Sequence, residues 1–202
     1  VPINKSESIN YYKKAIEKGN TNAMFNYGYM VKNGEGITAD INESIKYFKM
    51  AINGGNELAM NAYATMLKEG DGVPVNRQEA CRLFKISADK GNVNSMYNYA
   101  NMIFKGKNDN EQNLKEAFKY FKMAADKGNT KSMVKLSEML MEGLGCNVDK
   151  DQAVEYVKKA INKGDDEGMY LYGIWLYFGP IEQNKDKSLK YIKKAIEKDN
   201  IN

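Results

Sequence analysis

The sequence predicts an all-α fold, a solenoid of antiparallel helical hairpins, and three observations predict it. A Gly-Asn corner recurs with a period of 36 residues at Gly19-Asn20, Gly55-Asn56 and Gly91-Asn92. It returns at Gly128-Asn129 after one extra residue, at Gly164-Asp165, and as Asp199-Asn200 one residue early. Between corners, apolar residues fall at helical spacing, and a second helix start of the form Asp/Asn-x-x-Glu/Gln divides each unit in two. A unit of that length cannot bury its apolar face alone, so neighbouring units stack and share one core.

The elements follow in order. Val1-Pro2-Ile3-Asn4 aligns with Val73-Pro74-Val75-Asn76, so the chain reads as entering in the middle of a repeat, with a second-type helix (B) over 4–19 opened by Asn4 and Glu7. The unit 20–55 starts with a first-type helix (A) whose apolar stripe includes Ala23, Met24, Tyr27 and Val31. Lys32-Asn33-Gly34-Glu35-Gly36 ends it, because glycine takes the left-handed conformation common at helix C-termini. Asp40 and Glu43 open helix B as a reciprocal capping box, and Ser44, Ile45, Tyr47, Phe48, Ala51 and Ile52 form its buried stripe.

The unit 56–91 repeats this with Gly70, Gly72 and the box Asn76-Glu79. In 92–128 the connection reads Gly106-Lys107-Asn108-Asp109 without the second glycine, Asn113-Glu116 is the expected box, and Ala117, Phe118, Tyr120, Phe121, Ala124 and Ala125 repeat the stripe. The unit 129–164 restores Gly143, Gly145 and Asp149-Gln152. In 165–199 the connection Gly179-Pro180-Ile181 is short, and Asn184 is followed by Lys187 in place of an acid. The two-residue corners are too short for anything but antiparallel neighbours.

Small residues hold two equivalent places in helix A: Ala23, Ala59, Ser95, Ser132 and Gly168, then Gly28, Ala64, Ala100, Ser137 and Gly173. They permit close helix approach, with Tyr27, Tyr63, Tyr99, Leu136 and Tyr172 filling adjacent space. Two methionine columns accompany them: Met24, Met60, Met96, Met133 and Met169, and Met30, Met66, Met102 and Met139 with Trp175. Constant repeat positions assign both columns to inter-repeat core rather than to an adaptable binding surface.

Ala23, Tyr27-Gly28, Val31, Gly34, Gly36-Ile37, Asp40, Ser44, Tyr47-Phe48, Ala51 and Gly55-Asn56 together resemble the Sel1-like repeat, a relative of the tetratricopeptide repeat with a longer A-to-B connection. The resemblance covers the whole chain as one array over 1–202: helix B at 4–19, then units 20–55, 56–91, 92–128, 129–164 and 165–199. It implies a right-handed α-solenoid of antiparallel helical hairpins, A helices lining the concave side, and a non-enzymatic scaffold or adaptor.

Catalytic chemistry finds little footing. The chain has no His, the commonest general base and zinc ligand. Cys81 and Cys146 do not supply a four-ligand site, and no metal or cofactor is expected. Gly34-Glu35-Gly36 and Gly70-Asp71-Gly72 carry acids where a phosphate would sit and lack the Lys-Ser/Thr signature, so they read as helix ends. Paired carboxylates such as Asp165-Asp166 fall at helix starts, where the macrodipole favours them.

The 30 basic and 26 acidic residues, net +4, are interspersed, which argues against a nucleic-acid partner. No run of 18 apolar residues exists and mean hydropathy is −0.63, so no segment is expected to enter a membrane. Two isolated cysteines fit a reducing compartment, and a cytoplasmic location is expected. Because the N-terminus reads as entering mid-repeat, the ER lumen or a secretory route stays open as an expectation. Sequons at Asn4 and Asn42 coincide with helix B starts, where capping explains them, and abundant Asn, Lys, Ile and Tyr fit an AT-rich genome.

Side chains of helix A off its buried stripe are the candidate partner contacts. The set is Asn22, Phe25, Tyr29 and Lys32; Leu58, Asn61, Thr65 and Lys68; Asn94, Tyr97, Asn101 and Phe104; Lys131, Val134, Glu138 and Met141; and Glu167, Tyr170, Ile174, Tyr177 and Phe178. Asn amides pair with an extended backbone, and aromatic rings supply contact area at low entropic cost, so a protein or peptide is the expected partner. Phe25, Tyr29, Asn61, Lys68, Tyr97, Asn101, Phe104, Tyr170, Ile174 and Tyr177 are the groove residues singled out. The apolar positions of the last unit read either as a second docking patch or as a face that covers a further repeat, and the second reading is preferred. The alternative function is a regulatory region of a larger enzyme, or of a ubiquitin-ligase or ER quality-control type complex. Replacing Ala100 with Leu is expected to overpack the helix contact and cost on the order of 1–3 kcal/mol, measured as a lowered urea midpoint.

Overall fold

Each helix boundary follows from the glycine and Asx residues that surround it. The structure, a computed structural model, describes residues 5–105 and 110–199. The expected cap at Asn4, the connection 106–109 and the corner at Asn200 lie outside the described residues. Those described form eleven helices and no strand. B-type helices are α1 (Lys5–Glu17), α3 (Ile41–Asn53), α5 (Arg77–Asp89), α7 (Glu111–Asp126), α9 (Lys150–Asn162) and α11 (Lys185–Asp199). A-type helices are α2 (Thr21–Asn33), α4 (Glu57–Glu69), α6 (Val93–Phe104), α8 (Thr130–Glu142) and α10 (Asp166–Phe178). The fold is an all-α helical repeat. The chain divides into two compact units, Val1–Ser95 and Met96–Asn202, each described below by itself.

In the first unit the corner at Gly55-Asn56 shows the joint in full. Gly55, at φ 83°, donates its amide to Ile52, and Asn56 donates to the Ala51 carbonyl at 3.0 Å, closing α3. Asn56 Oδ1 then accepts the Ala59 amide at 2.8 Å and opens α4. Its Nδ2 donates to Asn22 Oδ1 at 2.7 Å, tying α4 to α2, so the buried Asn56 leaves no polar atom without a partner. Asn20 and Asn92 repeat the double cap in this unit. Asn129 and Asp165 repeat it in the second.

The mid-repeat caps differ from expectation. Asp40, Asn76 and Asp149 accept from Glu43, Glu79 and Gln152 as predicted. The returning half of the box is replaced: the amides of Asp40, Asn76, Asp149 and Asn184 donate to carbonyls of the preceding A helix, Val31, Leu67, Leu140 and Leu176. With the cap amide already satisfied, the acid three residues on turns elsewhere. Glu43 accepts the Tyr27 hydroxyl at 3.5 Å, and Glu79 forms a forked pair with Arg82. Asn184 accordingly caps α11 without an acid at Lys187. A second correction concerns α7, which starts at Glu111 with Asn110 as its cap, while Asn113 lies inside the helix. Asn110 supplies the cap three residues early, and Glu111 complements the helix N-terminus.

The small-residue columns set the distance between helices. A Cβ on Gly28 would stand 3.1 Å from the Phe48 ring and 3.3 Å from the Ser44 carbonyl. One on Gly173 would stand 2.8 Å from Ile192. Across three of these contacts an A-helix tyrosine meets a B-helix tyrosine edge to face: Tyr27 with Tyr47 at 4.6 Å, Tyr99 with Tyr120 at 4.9 Å, Tyr172 with Tyr191 at 5.1 Å. Burial first, and then Glu43, hold the Tyr27 hydroxyl above the usual tyrosine pKa. Met24, Met60 and Met66 are buried in the first unit, and Met96, Met133, Met139 and Trp175 in the second, as a core assignment requires. Met30, Met102 and Met169 are half-buried.

The A-to-B loop of one repeat crosses the start of the preceding B helix. A Cβ on Gly145, at φ 70°, would fall 2.4 Å from the Leu114 backbone, whereas Gly128, at φ 94°, has only the Lys163 amine tip near it. Gly128→Ala is therefore expected to lose about 1–2 kcal/mol from the left-handed conformation alone. Gly145→Ala is expected to lose roughly 1–3 kcal/mol more by overpacking against backbone. Equal urea midpoints for the two variants would contradict this packing.

Candidate functional site

In the first unit the A-helix faces of α2 and α4 border a cleft of about 330 Å³. Phe25, Phe48, Leu58 and Met66 give it apolar walls, and Asn61, Thr65, Asn92 and Asn94 give it a polar rim. Phe25 lies 6.2 Å from Tyr29 and 6.0 Å from Phe48, ring to ring, so the apolar side is continuous with the core. Lys32 pairs with Asp71 at one end, which leaves the rim close to neutral. A second cleft of about 520 Å³ opens on the other side of Phe25 and Tyr29, bordered by Tyr12, Asn26 and Met30.

The structure divides the groove residues by their place in the helix. Phe25 and Asn61, the fifth residues counted from their caps, are half-buried at the joint with the next repeat; Tyr29 and Leu58 are exposed. Asn61 is not a free amide: Ser95 Oγ lies 3.0 Å from its Oδ1 and 2.7 Å from Ser87 Oγ, and Ser87 in turn donates to the Glu57 carbonyl. Asn22 is likewise engaged, by Asn56. Lys68 is half-buried, outside the cleft lining, and pairs with Glu69. Sequence reasoning missed the contributions of Ala62, Glu69, Asp71 and Asn92 to the lining. The corner position of Asn92 was the available signal, since the next repeat's start must border the preceding A helix.

In the second unit Tyr97 and Phe104 flank Phe121 at 6.0 and 6.2 Å, half-buried as is Asn101. Burial, then the Glu167 charge, raises the Tyr97 pKa. Lys135 bridges Glu138 at 2.9 Å and Glu167 at 3.3 Å. Burial alone would lower the Lys135 pKa, but the two carboxylates, Glu138 foremost, hold it above the usual value. Tyr170, Tyr177 and Phe178 are exposed and Ile174 half-buried. Val134 is a correction, since it is 0% exposed and buried beneath the start of α10.

Among the described residues no cluster of His, Cys, Asp or Glu has the arrangement of a metal site, and no helix is long and apolar enough to cross a membrane. The Cys146 thiol lies 3.5 Å from the Met139 carbonyl, and burial, then Asp149, pushes its pKa up, away from a reactive thiolate. The arrangement offers shape, aromatic surface and amides.

The Sel1 repeat matches residues 1–20, 21–56, 58–92, 93–129, 130–165 and 166–200. The chain belongs to the Sel1 repeat family. A search of curated proteins finds no match. Among solved structures, the chain is similar to c5321, a protective antigen of uropathogenic Escherichia coli displaying an SLR fold. That match has TM-score 0.83 and 23% identity over 94% of this chain and 43% of that one. A Sel1 repeat protein from Oxalobacter formigenes matches with TM-score 0.75 and 25% identity, over 93% of this chain and 75% of that one. Immunity protein Pa5087 from Pseudomonas aeruginosa shares the fold at TM-score 0.54 and 13% identity, over 94% and 72%. Sel1 repeat proteins act in general as protein-interaction scaffolds and are generally non-catalytic.

The Asn61–Ser95 contact is expected to behave as a structural joint. Asn61→Ala and Ser95→Ala should each cost about 1 kcal/mol in urea unfolding, and the double variant less than their sum. Strict additivity would remove the coupling inferred from the geometry.

Proposed function

We propose that this Sel1 repeat protein is an adaptor that holds a segment of a partner protein on its A-helix faces, with the first-unit cleft as one anchor point. The observation that supports the reading is the composition of that cleft: apolar walls from Phe25, Leu58 and Phe48 beneath a rim of Asn61, Thr65 and Asn94. Such a cavity takes one apolar side chain while its rim meets the polar backbone on either side of it. Tyr29 and Leu58 are exposed before any partner arrives, so they can be covered without first unmaking a contact in the fold.

The test selects ligands for the protein from a random displayed peptide library and measures a recovered peptide by calorimetry. Leu58→Glu combined with Tyr29→Ala is expected to weaken it at least about tenfold, equivalent to roughly 1.4 kcal/mol. Lys46→Ala combined with Lys119→Ala, on exposed B-helix positions, should leave it unchanged. Peptides that bind the Leu58 and Tyr29 variant as tightly as the parent protein would sink the cleft as the anchor.

A further inference from the structure

Charge in the first unit follows helix type. The B helices α1, α3 and α5 carry eight basic and five acidic residues, whereas 21–40 and 57–76, the A helices α2 and α4 with the connections after them, carry two lysines against five acids. The segments that bear the cleft are therefore net negative in a chain whose net charge is +4. Two of those acids, Glu69 and Asp71, line one end of the cleft together with Lys32. Their side chains are 55% and 49% exposed. Lys32 pairs with Asp71 inside the lining, and Glu69 pairs with Lys68, which stands outside it, so the charge left over in the lining is that of Glu69. Exposed pairs of this kind are weak, and both carboxylates stay open to a better donor.

The rest of the cleft sets the distance to that end. Lys32 lies in the last turn of α2 and Glu69 is the last residue of α4, and the partial negative charge of a helix C-terminus favours a cation beside it. Away from the acids, Phe25, Phe48, Met66 and Ala62 line the cavity, and the methyl side chain of Ala62 leaves space that a longer one would fill. The Phe25 and Phe48 rings are tilted to each other at 6.0 Å, so a third ring entering there meets aromatic edges and faces and the Met66 thioether. Ala62 and Glu69 are seven positions apart on α4, about 10 Å along its axis. Extended backbone covers that length in about three residues.

We propose that the partner segment held in the first-unit cleft is a basic one, carrying an aromatic residue and an arginine about three positions apart. The aromatic side chain enters beside Phe25, Phe48 and Ala62, and the arginine reaches Glu69 and Asp71. This inference rests on the reading of the cleft as the adaptor's anchor and adds the partner's chemistry to it. Arginine suits the acidic end better than lysine, because its planar fork of donors bonds two carboxylate oxygens at once. An acidic segment is repelled from the same end. A second copy of this chain does not supply the segment, since neither of its arginines, Arg77 and Arg82, has an aromatic residue three positions away.

The test uses the full chain and the peptides that it selects from a random displayed library. Those whose binding depends on Leu58 and Tyr29 are expected to share an aromatic residue and an arginine about three positions apart. In calorimetry, Glu69→Lys plus Asp71→Lys on the protein should weaken such a peptide at least about tenfold. Replacing the peptide's arginine with glutamate should then reverse the preference, with this form binding the doubly substituted protein more tightly than the parent. Both substituted protein residues are exposed, and circular dichroism checks that the variant stays folded. Peptides that depend on Leu58 and Tyr29 but lack the arginine, or whose affinity ignores the Glu69 and Asp71 changes, overturn the basic segment and leave the cleft as the anchor. Peptides indifferent to Leu58 and Tyr29 remove the anchor itself, and this inference with it.

Discussion

The residue on which the rest of the structure depends is the Asn or Asp that follows each corner glycine. A helix end leaves backbone groups without partners, and a two-residue corner joins two such ends where little water can reach them. Asn56 meets both demands at once: its amide serves the carbonyl that α3 leaves open and its side chain serves the amide that α4 leaves open. Only a short side chain with an acceptor at that distance closes both, and the preceding glycine must adopt positive φ for the chain to reverse. The remaining Nδ2 then fixes α4 against α2, so one residue sets two helix limits and one inter-repeat distance.

That distance decides what the A-helix face can do. Small residues at the joints, Gly168 against Val134 and Ala160 and Ser95 against Ser87, bring adjacent repeats close enough for polar side chains to hydrogen-bond, as with Ser95, Ser87 and Asn61. Each such bond removes an amide or hydroxyl from the set available to a partner. The A-helix face therefore splits between joint and surface, with Asn61 and Val134 drawn into the joint and Tyr29, Leu58 and Tyr177 left outward. Recognition on this surface rests more on aromatic and aliphatic area than the abundance of asparagine suggests.

The helices, their order and the corner glycines were legible because each depends on residues within five positions of one another. The A-helix caps, the glycine stops and the small-residue columns are local, and the structure repeats them. What escaped depends on contacts between elements. The Asp40 amide finds the Val31 carbonyl only because the loop returns across the end of α2, which no local pattern encodes. The start of α7 was misplaced because Asn110 and Asn113 are chemically equal caps, and only the packed structure chooses between them. Val134 looked like a surface position because its burial comes from the absence of a side chain at Gly168, one repeat later.

The same reasoning explains why a repeat array without histidine is still chemically specific. A joint that requires a small residue rejects larger ones by sterics, and one that sets a lysine over a ring four residues later rejects a helix with the wrong register. Either condition alone is loose, since small residues and tyrosines are common in this chain. Together they fix the rotation and the register of each helix within the array, two constraints met by side chains already in place for folding. The contacts that stack one repeat on the next thus decide which helix can follow which within the array.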